Sequence, residues 1–259
     1  MSIIKPFTEV KCQKCNKDGF IINENNAVKC DCRKQYEFEV ASSDALLKGG
    51  LLRESSNYED FKKLIDFDWS DYRGKDENGN LKKLQKYVDE FDSDEKPFRH
   101  LHCYVYGEQG TQKSYTMKGM LTKLACKGKS VYYIFTKDLI TIINDSERNE
   151  ESQKLLDYIL NVDVLVLEEF NEERCALWQS GYKEKNLIIW IKNRLEIIRK
   201  STWFVTNDTI ERLKEGKFGE LFGDLIDRET RFGRFHFTDR YVDNLDKKEI
   251  EDMMKNIWD

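Results

Sequence analysis

Five short apolar runs, rich in β-branched and aromatic residues, recur after Pro97 at 101–106, 131–136, 162–168, 202–206 and 234–238. A strand that is apolar along its whole length faces water on neither side, so helices must cover both faces of the sheet it joins. Helical stretches fall between most of these runs. Over 113–127, Met117, Met120, Leu121, Leu124 and Ala125 repeat at helical spacing, and Gly128 stops the pattern. A second stretch covers 187–199. The alternation predicts an α/β domain built on a parallel five-stranded sheet flanked by helices.

Upstream, the sequence predicts a helix from Lys34 to Lys48 stopped by Gly49-Gly50, a linker over 49–57, a polar loop from Asp71 to Asn80 and a helix from Leu81 to Phe91. A last helix is expected at about 246–258, with Ile250, Met253, Met254, Ile257 and Trp258 on one stripe. The 259 residues suit one medium domain plus a small one. The boundary is expected near residue 50, giving a module over 1–50 and an α/β domain over 51–259. No internal repeat is visible.

Charged residues make up 35% of the chain, yet fifteen Phe, twelve Tyr and five Trp argue against disorder. No apolar run approaches the roughly eighteen residues a membrane span needs. The first six residues lack a signal-peptide core, so a cytoplasmic protein is expected, without membrane association. The net charge of −5 excludes a basic coat over the whole surface and leaves room for a local basic groove.

Seven cysteines without a secretory signal disfavour a disulfide framework. Four of them cluster as Cys12-x2-Cys15 and Cys30-x-Cys32. Between the pairs, Gly19 to Ile22 and Ala27 to Lys29 read as two strands of a ribbon with Asn23 to Asn26 as its turn. Paired thiolates at this spacing converge on one tetrahedral ion, and four sulfurs make a closed, structural Zn²⁺ site. The alternatives are four reduced thiols that bind nothing and an iron–sulfur cluster on the same ligands. Cys103 and Cys126 read as core residues. Cys175 carries no reading.

The run Gly107-Glu108-Gln109-Gly110-Thr111-Gln112-Lys113-Ser114 follows an apolar strand and opens an amphipathic helix. Successive backbone N–H groups there form an anion nest, Lys113 reaches the β- and γ-phosphates of ATP, and the Ser114 hydroxyl binds Mg²⁺. Glycine is usual before the lysine, and Gln112 stands in its place. One strand later, Val162 to Leu167 closes on Glu168 and Glu169. The first acid holds Mg²⁺, directly or through water, and the second polarises the attacking water. Aspartate is usual at the first place. The run Trp203 to Asn207 ends in an amide that orients this water, or in a simple turn residue.

These segments, with Leu225-Ile-Asp-Arg228 and Thr238-Asp-Arg240, resemble the AAA+ ATPases and, within them, the DnaC/DnaI-type replicative helicase loaders. The resemblance runs from about residue 55 to 241. It implies that Asn207 is sensor 1, that Arg228 is an arginine finger offered to a neighbouring subunit, and that Arg240 is sensor 2. The Cys-x2-Cys, Asp-Gly-Phe-Ile and Cys-x-Cys run is similar to the zinc ribbon of phage-borne loaders, which implies a module gripping a hexameric replicative DNA helicase. Further implications are work at single-stranded DNA, assembly of several copies, and a host cytoplasm if the chain is phage-encoded. Gln112 and Glu168 depart from the family pattern and imply slow hydrolysis. Two rival readings are a non-hydrolysing helicase adaptor or inhibitor, and a transposase-helper ATPase. Outside the motifs, His100, His102 and His236 read as structural, Tyr132, Tyr133 and Phe135 as core of the second strand, and Glu147 to Glu151 as a solvated stretch.

Overall fold

Two sheets organise the computed structural model, which describes residues 3–4, 7, 12–15, 19–23, 26–53, 55–74, 76, 78–93, 98–171, 181–216 and 220–238. The first is a hairpin of β1 (Phe20–Asn23) and β2 (Asn26–Lys29), paired antiparallel with Asn23 opposite Asn26. Each strand thus runs a residue further into the turn than the sequence predicts. The second sheet holds β3 (Cys103–Gly107), β4 (Val131–Phe135), β5 (Val164–Glu168), β6 (Ser201–Val205) and β7 (Arg234–Phe237) in the order β4-β5-β6-β3-β7. Every pairing is parallel, as the apolar runs require.

Helices cover both faces. On one lie α1 (Asp31–Lys48), α2 (Tyr58–Ile65), α3 (Asn80–Asp89) and α4 (Lys113–Cys126). There Met117, Met120, Leu121 and Leu124 of α4 meet Val105, Val166 and Trp203 of the sheet, all fully buried. The other face carries α5 (Thr136–Asp145), α6 (Glu150–Asn161), α7 (Gly181–Lys192), α8 (Ile210–Glu215) and α9 (Glu220–Thr230). Tyr104, Leu165, Leu167 and Phe204 point into that second cluster. Successive side chains of β3, β5 and β6 alternate between the two cores, the period of a strand buried on both sides.

Several elements differ from the sequence reading. The α1 helix starts at Asp31 rather than Lys34, and α2 begins at Tyr58, directly after the expected linker. The stretch 187–199 is not one helix: α7 ends at Lys192 and a π-helical turn follows over Asn193–Ile198. Cys126 is only partly buried and lies against the Ser42 hydroxyl, whereas Cys103 is a core residue as expected. The expected helix at 246–258 and Cys175 lie outside the described residues.

Residues near the expected boundary pack on the sheet. Leu46 is fully buried in the same cluster as Leu124, Val131 and Tyr133. The Tyr133 N–H donates to the Gly49 carbonyl at 2.8 Å. So α1 leaves the ribbon at Cys30 and ends on α4 and the β4 edge.

The π-helical turn carries Arg194, which is fully buried. Its guanidinium donates to the carbonyls of Ile159, Leu160, Val162 and Ser201 and to the Thr202 hydroxyl. The last carbonyls of a helix lack intrahelical partners, and a cation there also meets the negative end of the helix dipole. Lys200 completes the cap of α6 by donating to the Asn161 carbonyl at 2.6 Å. Burial pulls the Arg194 guanidinium below its ordinary pKa, so its charge is held by oriented carbonyls rather than by a carboxylate. Replacing Arg194 with Leu strands several buried acceptors and is expected to destabilise the fold by at least about 3 kcal/mol. Lysine cannot reproduce the fork and should recover only part of the loss. Denaturant unfolding of Arg194→Leu and Arg194→Lys checks this; a loss below about 1 kcal/mol in the first would mean the cap carries little.

Candidate phosphate-binding site

The C-terminal ends of β3, β5 and β6 open on a cavity of about 440 Å³. It is lined by residues 109–115, by Glu168, Glu169 and Asn171, and by Val205, Thr206 and Asn207. Ligands of open α/β sheets bind at this edge, where strand order reverses. Here the chain runs outward from β3 to β4, returns through β5 and β6, and crosses to β7 on the far side of β3.

The loop from β3 to α4 is shaped by three positive φ angles. Gly107 sits at φ +143°, and a Cβ there would collide with the Phe237 carbonyl of β7. Gly110 has φ +83°. Gln112, just before the first residue of α4, is left-handed at φ 60° and ψ 19°. This explains why glycine is usual at that place, and it is the strain that Gln112 introduces. The Gln112 side chain reaches back to the loop before α3: its Oε1 accepts from the Arg73 N–H at 3.4 Å. Its Nε2 is buried with no acceptor among the described residues.

Lys113 is buried and its ammonium folds into the loop. It donates to the carbonyls of Gly107 (2.7 Å) and Glu108 (2.8 Å) and to Asn207 Oδ1 (3.0 Å), with Thr111 Oγ1 at 3.3 Å. Gly107 and Glu108 therefore serve through their carbonyls, outside the cavity lining. Burial lowers the Lys113 pKa to about 8, and the Glu168 charge opposes that shift. Asn207 and Lys113 meet although 94 positions separate them, so the end of β6 and the loop form one site.

The Ser114 hydroxyl donates to Glu168 Oε1 at 2.8 Å. The Tyr133 hydroxyl donates to Glu168 Oε2 at 2.9 Å. Burial raises the Glu168 pKa, while these two donors and Lys113 lower it. A hydroxyl beside a carboxylate is a hard-oxygen donor set that fits Mg²⁺. Glu169 follows in a left-handed turn at φ 53°. Non-glycine residues with such backbones gather at functional sites. The turn is fixed by the Phe170 N–H donating to the Val205 carbonyl at 2.8 Å.

Arg228 lies away from this cavity. It is exposed on α9 and donates to Glu229 (2.9 Å) and Glu196 (2.8 Å). Asp227, its neighbour, pairs instead with Lys214 and Arg234. Arg240 lies outside the described residues.

The four clustered cysteines converge. Their Sγ atoms all lie within 4.8 Å of one another, with Cys12–Cys30 at 3.8 Å and Cys15–Cys32 at 3.4 Å. A tetrahedral ion with Zn–S of about 2.3 Å needs sulfurs about 3.8 Å apart, so the cluster is compatible with a zinc site. The backbone N–H groups of Cys15 and Lys14 draw the Cys12 thiol down toward the thiolate. Cys30 also precedes the first residue of α1 and ties to the ribbon through its N–H on the Gly19 carbonyl at 2.9 Å.

Sequence reasoning missed Tyr133 as a site residue and Arg194 as a structural cation. Tyr133 reads as core from its apolar run, and only the pairing of β4 beside β5 makes it a partner of Glu168. The signal for Arg194 was a lone cation inside an otherwise apolar helical stripe.

The geometry of Gln112 is directly testable. Glycine removes the left-handed strain, whereas alanine keeps it, and both lose the bond to Arg73. Gln112→Gly is therefore expected to be more stable than Gln112→Ala by about 1 kcal/mol. Equal melting temperatures would mean the backbone at 112 is unstrained.

No protein-family model matches the chain. Over 156 residues it is 29% identical to the replicative helicase loader DnaC of Escherichia coli strain K12, covering 59% of this chain and 57% of that protein. The chain thus spans somewhat over half the length of this curated relative. The crystal structure of DnaI superposes with a TM-score of 0.51 at 18% identity, covering 71% of this chain and 92% of that one. The crystal structure of the DnaC helicase loader gives 0.52 at 22%, covering 68% and 98%. The replication initiator DnaA bound to AMPPCP and single-stranded DNA gives 0.50 at 14%, covering 74% and 55%. These likenesses carry the fold, and over 156 residues the sequence is similar to that of the replicative helicase loader DnaC.

Proposed function

We propose that the chain is an ATP-hydrolysing helicase loader, acting on a replicative DNA helicase at single-stranded DNA. One observation carries the nucleotide half of this reading. The Lys113 ammonium, the Ser114–Glu168 pair and the Asn207 amide meet at one cavity above a left-handed loop. Phosphate oxygens would take over the Lys113 donors that the loop carbonyls and Asn207 hold here. Ser114 and Glu168 would hold Mg²⁺, which neutralises phosphate charge when bound. Glu169 would polarise the attacking water and Asn207 would orient it. Arg228, exposed and paired with Glu196 and Glu229, would complete a neighbouring copy's site, with Arg240 acting as sensor 2. The helicase half rests on the homology to DnaC. The cysteine cluster would hold one Zn²⁺ and steady the segment that grips the helicase. Among the described residues no helix is long and apolar enough to cross a membrane.

A second reading is a non-hydrolysing adaptor that uses nucleotide as a clamp. The strained Gln112 backbone beside the phosphate nest favours it. A steady-state ATPase assay with and without single-stranded DNA and helicase separates the two. Turnover stimulated by those partners supports the loader, and its absence supports the adaptor.

Lys113→Ala is expected to weaken binding of a fluorescent ATP analogue by about a hundredfold, because a charge-assisted phosphate contact is lost. Unchanged affinity would remove the phosphate-site reading. Within the same ATPase assay, Arg228→Ala should retain binding and lose on the order of 10³-fold in turnover. Metal analysis should find close to one zinc per chain in protein purified without added metal, and Cys30→Ser should lose it. A metal-free chain with an intact ribbon would exclude the zinc site.

A further inference from the structure

The methylene that distinguishes Glu168 from the usual aspartate has a partner in the structure. Glu168 ends β5, and the register pairs Phe135 of β4 with it. Two positions earlier on the same edge strand, Tyr133 extends its hydroxyl onto Glu168 Oε2 at 2.9 Å. The other oxygen, Oε1, accepts from Ser114 at 2.8 Å. The carboxylate is thus pinned at both ends, one donor from α4 and one from β4. Its backbone carbonyl is held as well, by the Thr136 hydroxyl at 2.9 Å.

The tyrosine is itself fixed. Its ring meets Phe135 edge-on, with centroids 6.1 Å apart, and the Lys118 ammonium lies 4.9 Å over its face. Its backbone N–H is tied to Gly49. A phenol carries its proton at neutral pH, so the hydroxyl donates to the carboxylate. Glutamate carries one more rotatable bond than aspartate, and in a buried site that freedom must be removed before the carboxylate presents one orientation. A donor on a rigid neighbouring strand removes it.

We propose that Tyr133 is a positioning residue for Mg²⁺ at the phosphate site: it fixes the Glu168 carboxylate so that Oε1 and the Ser114 hydroxyl face the metal together. Glu168 and Tyr133 form a matched pair, the longer acid reaching the hydroxyl of the next strand. This inference rests on the phosphate-site reading above.

The test is a Mg²⁺ titration of fluorescent ATP-analogue binding to the full chain. Tyr133→Phe keeps the ring and removes the donor. The Mg²⁺ midpoint is expected to rise about tenfold, with affinity for the analogue in the absence of metal unchanged. In a double-mutant cycle, Tyr133→Phe should add little in a Glu168→Asp background, where the shorter acid no longer reaches the hydroxyl. Should Tyr133→Phe fail to fold, Glu168→Asp alone must raise the midpoint. A Tyr133→Phe midpoint equal to wild type would overturn the proposal while leaving the phosphate site standing. So would an equal loss of metal-free and Mg²⁺-supported binding, since that marks ring packing only, and so would full additivity in the cycle. Absence of Mg²⁺-dependent binding in the wild-type chain would overturn the phosphate-site reading and this proposal with it.

Discussion

Double pairing of β3 sets the geometry of the site. With β6 on one side and β7 on the other, β3 leaves the sheet at a single point, Gly107, which lies opposite Phe237. The β7 backbone passes so close that a side chain at 107 has no room. The chain then turns through left-handed positions at 110 and 112 before α4 begins. Backbone N–H groups at the start of α4 consequently face the cavity, and the positive end of a fourteen-residue helix is aimed at it. Ser114, Glu168 and Asn207 are brought together because parallel strands end at the same edge, not because they are near in sequence.

Among the described residues Lys113, Glu168 and Arg194 are buried around this frame, and each is stabilised differently. Arg194 is enclosed by carbonyls and a hydroxyl that belong to the fold itself, away from the cavity, so it acts as a permanent part of the fold. Lys113 is also held by carbonyls, but they belong to the loop that would receive phosphate, and its pKa is drawn down to about 8. Glu168 is satisfied by hydroxyls, which can donate to a carboxylate and still offer an oxygen to a cation. Burial opposes the charge in all three cases. What differs is whether the compensating groups are free to exchange partners, and that separates the structural cation from the two groups in the site.

Much of the α/β core was legible because a strand buried on two faces must be apolar throughout, and few other elements of five or six residues look like that. The loop at 107–114, the acids after β5 and Asn207 were legible for the same reason: each follows directly on such a strand. Gln112 was legible as a departure, but its left-handed backbone and its reach to Arg73 were not, since both depend on where the loop before α3 lies. The π-helical turn was hidden for a similar reason. Local periodicity over 187–199 favours one continuous helix, and the interruption falls where the Arg194 guanidinium caps α6, more than thirty positions upstream.

Packing continues across the expected boundary near residue 50. Cys30 and Cys32 belong to the sulfur cluster and also stand at the start of α1. That helix has eighteen residues, about 27 Å of rise, and its last turn is buried on α4 and β4. Gly49 and Gly50 then lie against the β4 edge, where Tyr133 donates its N–H to Gly49 and sends its hydroxyl to Glu168. A helix cannot fray at its first turn without losing the ribbon, nor shift at its last without disturbing the strand beside Glu168. The sulfur cluster and the β4 edge are therefore the two ends of one packed line, and α1 belongs to both.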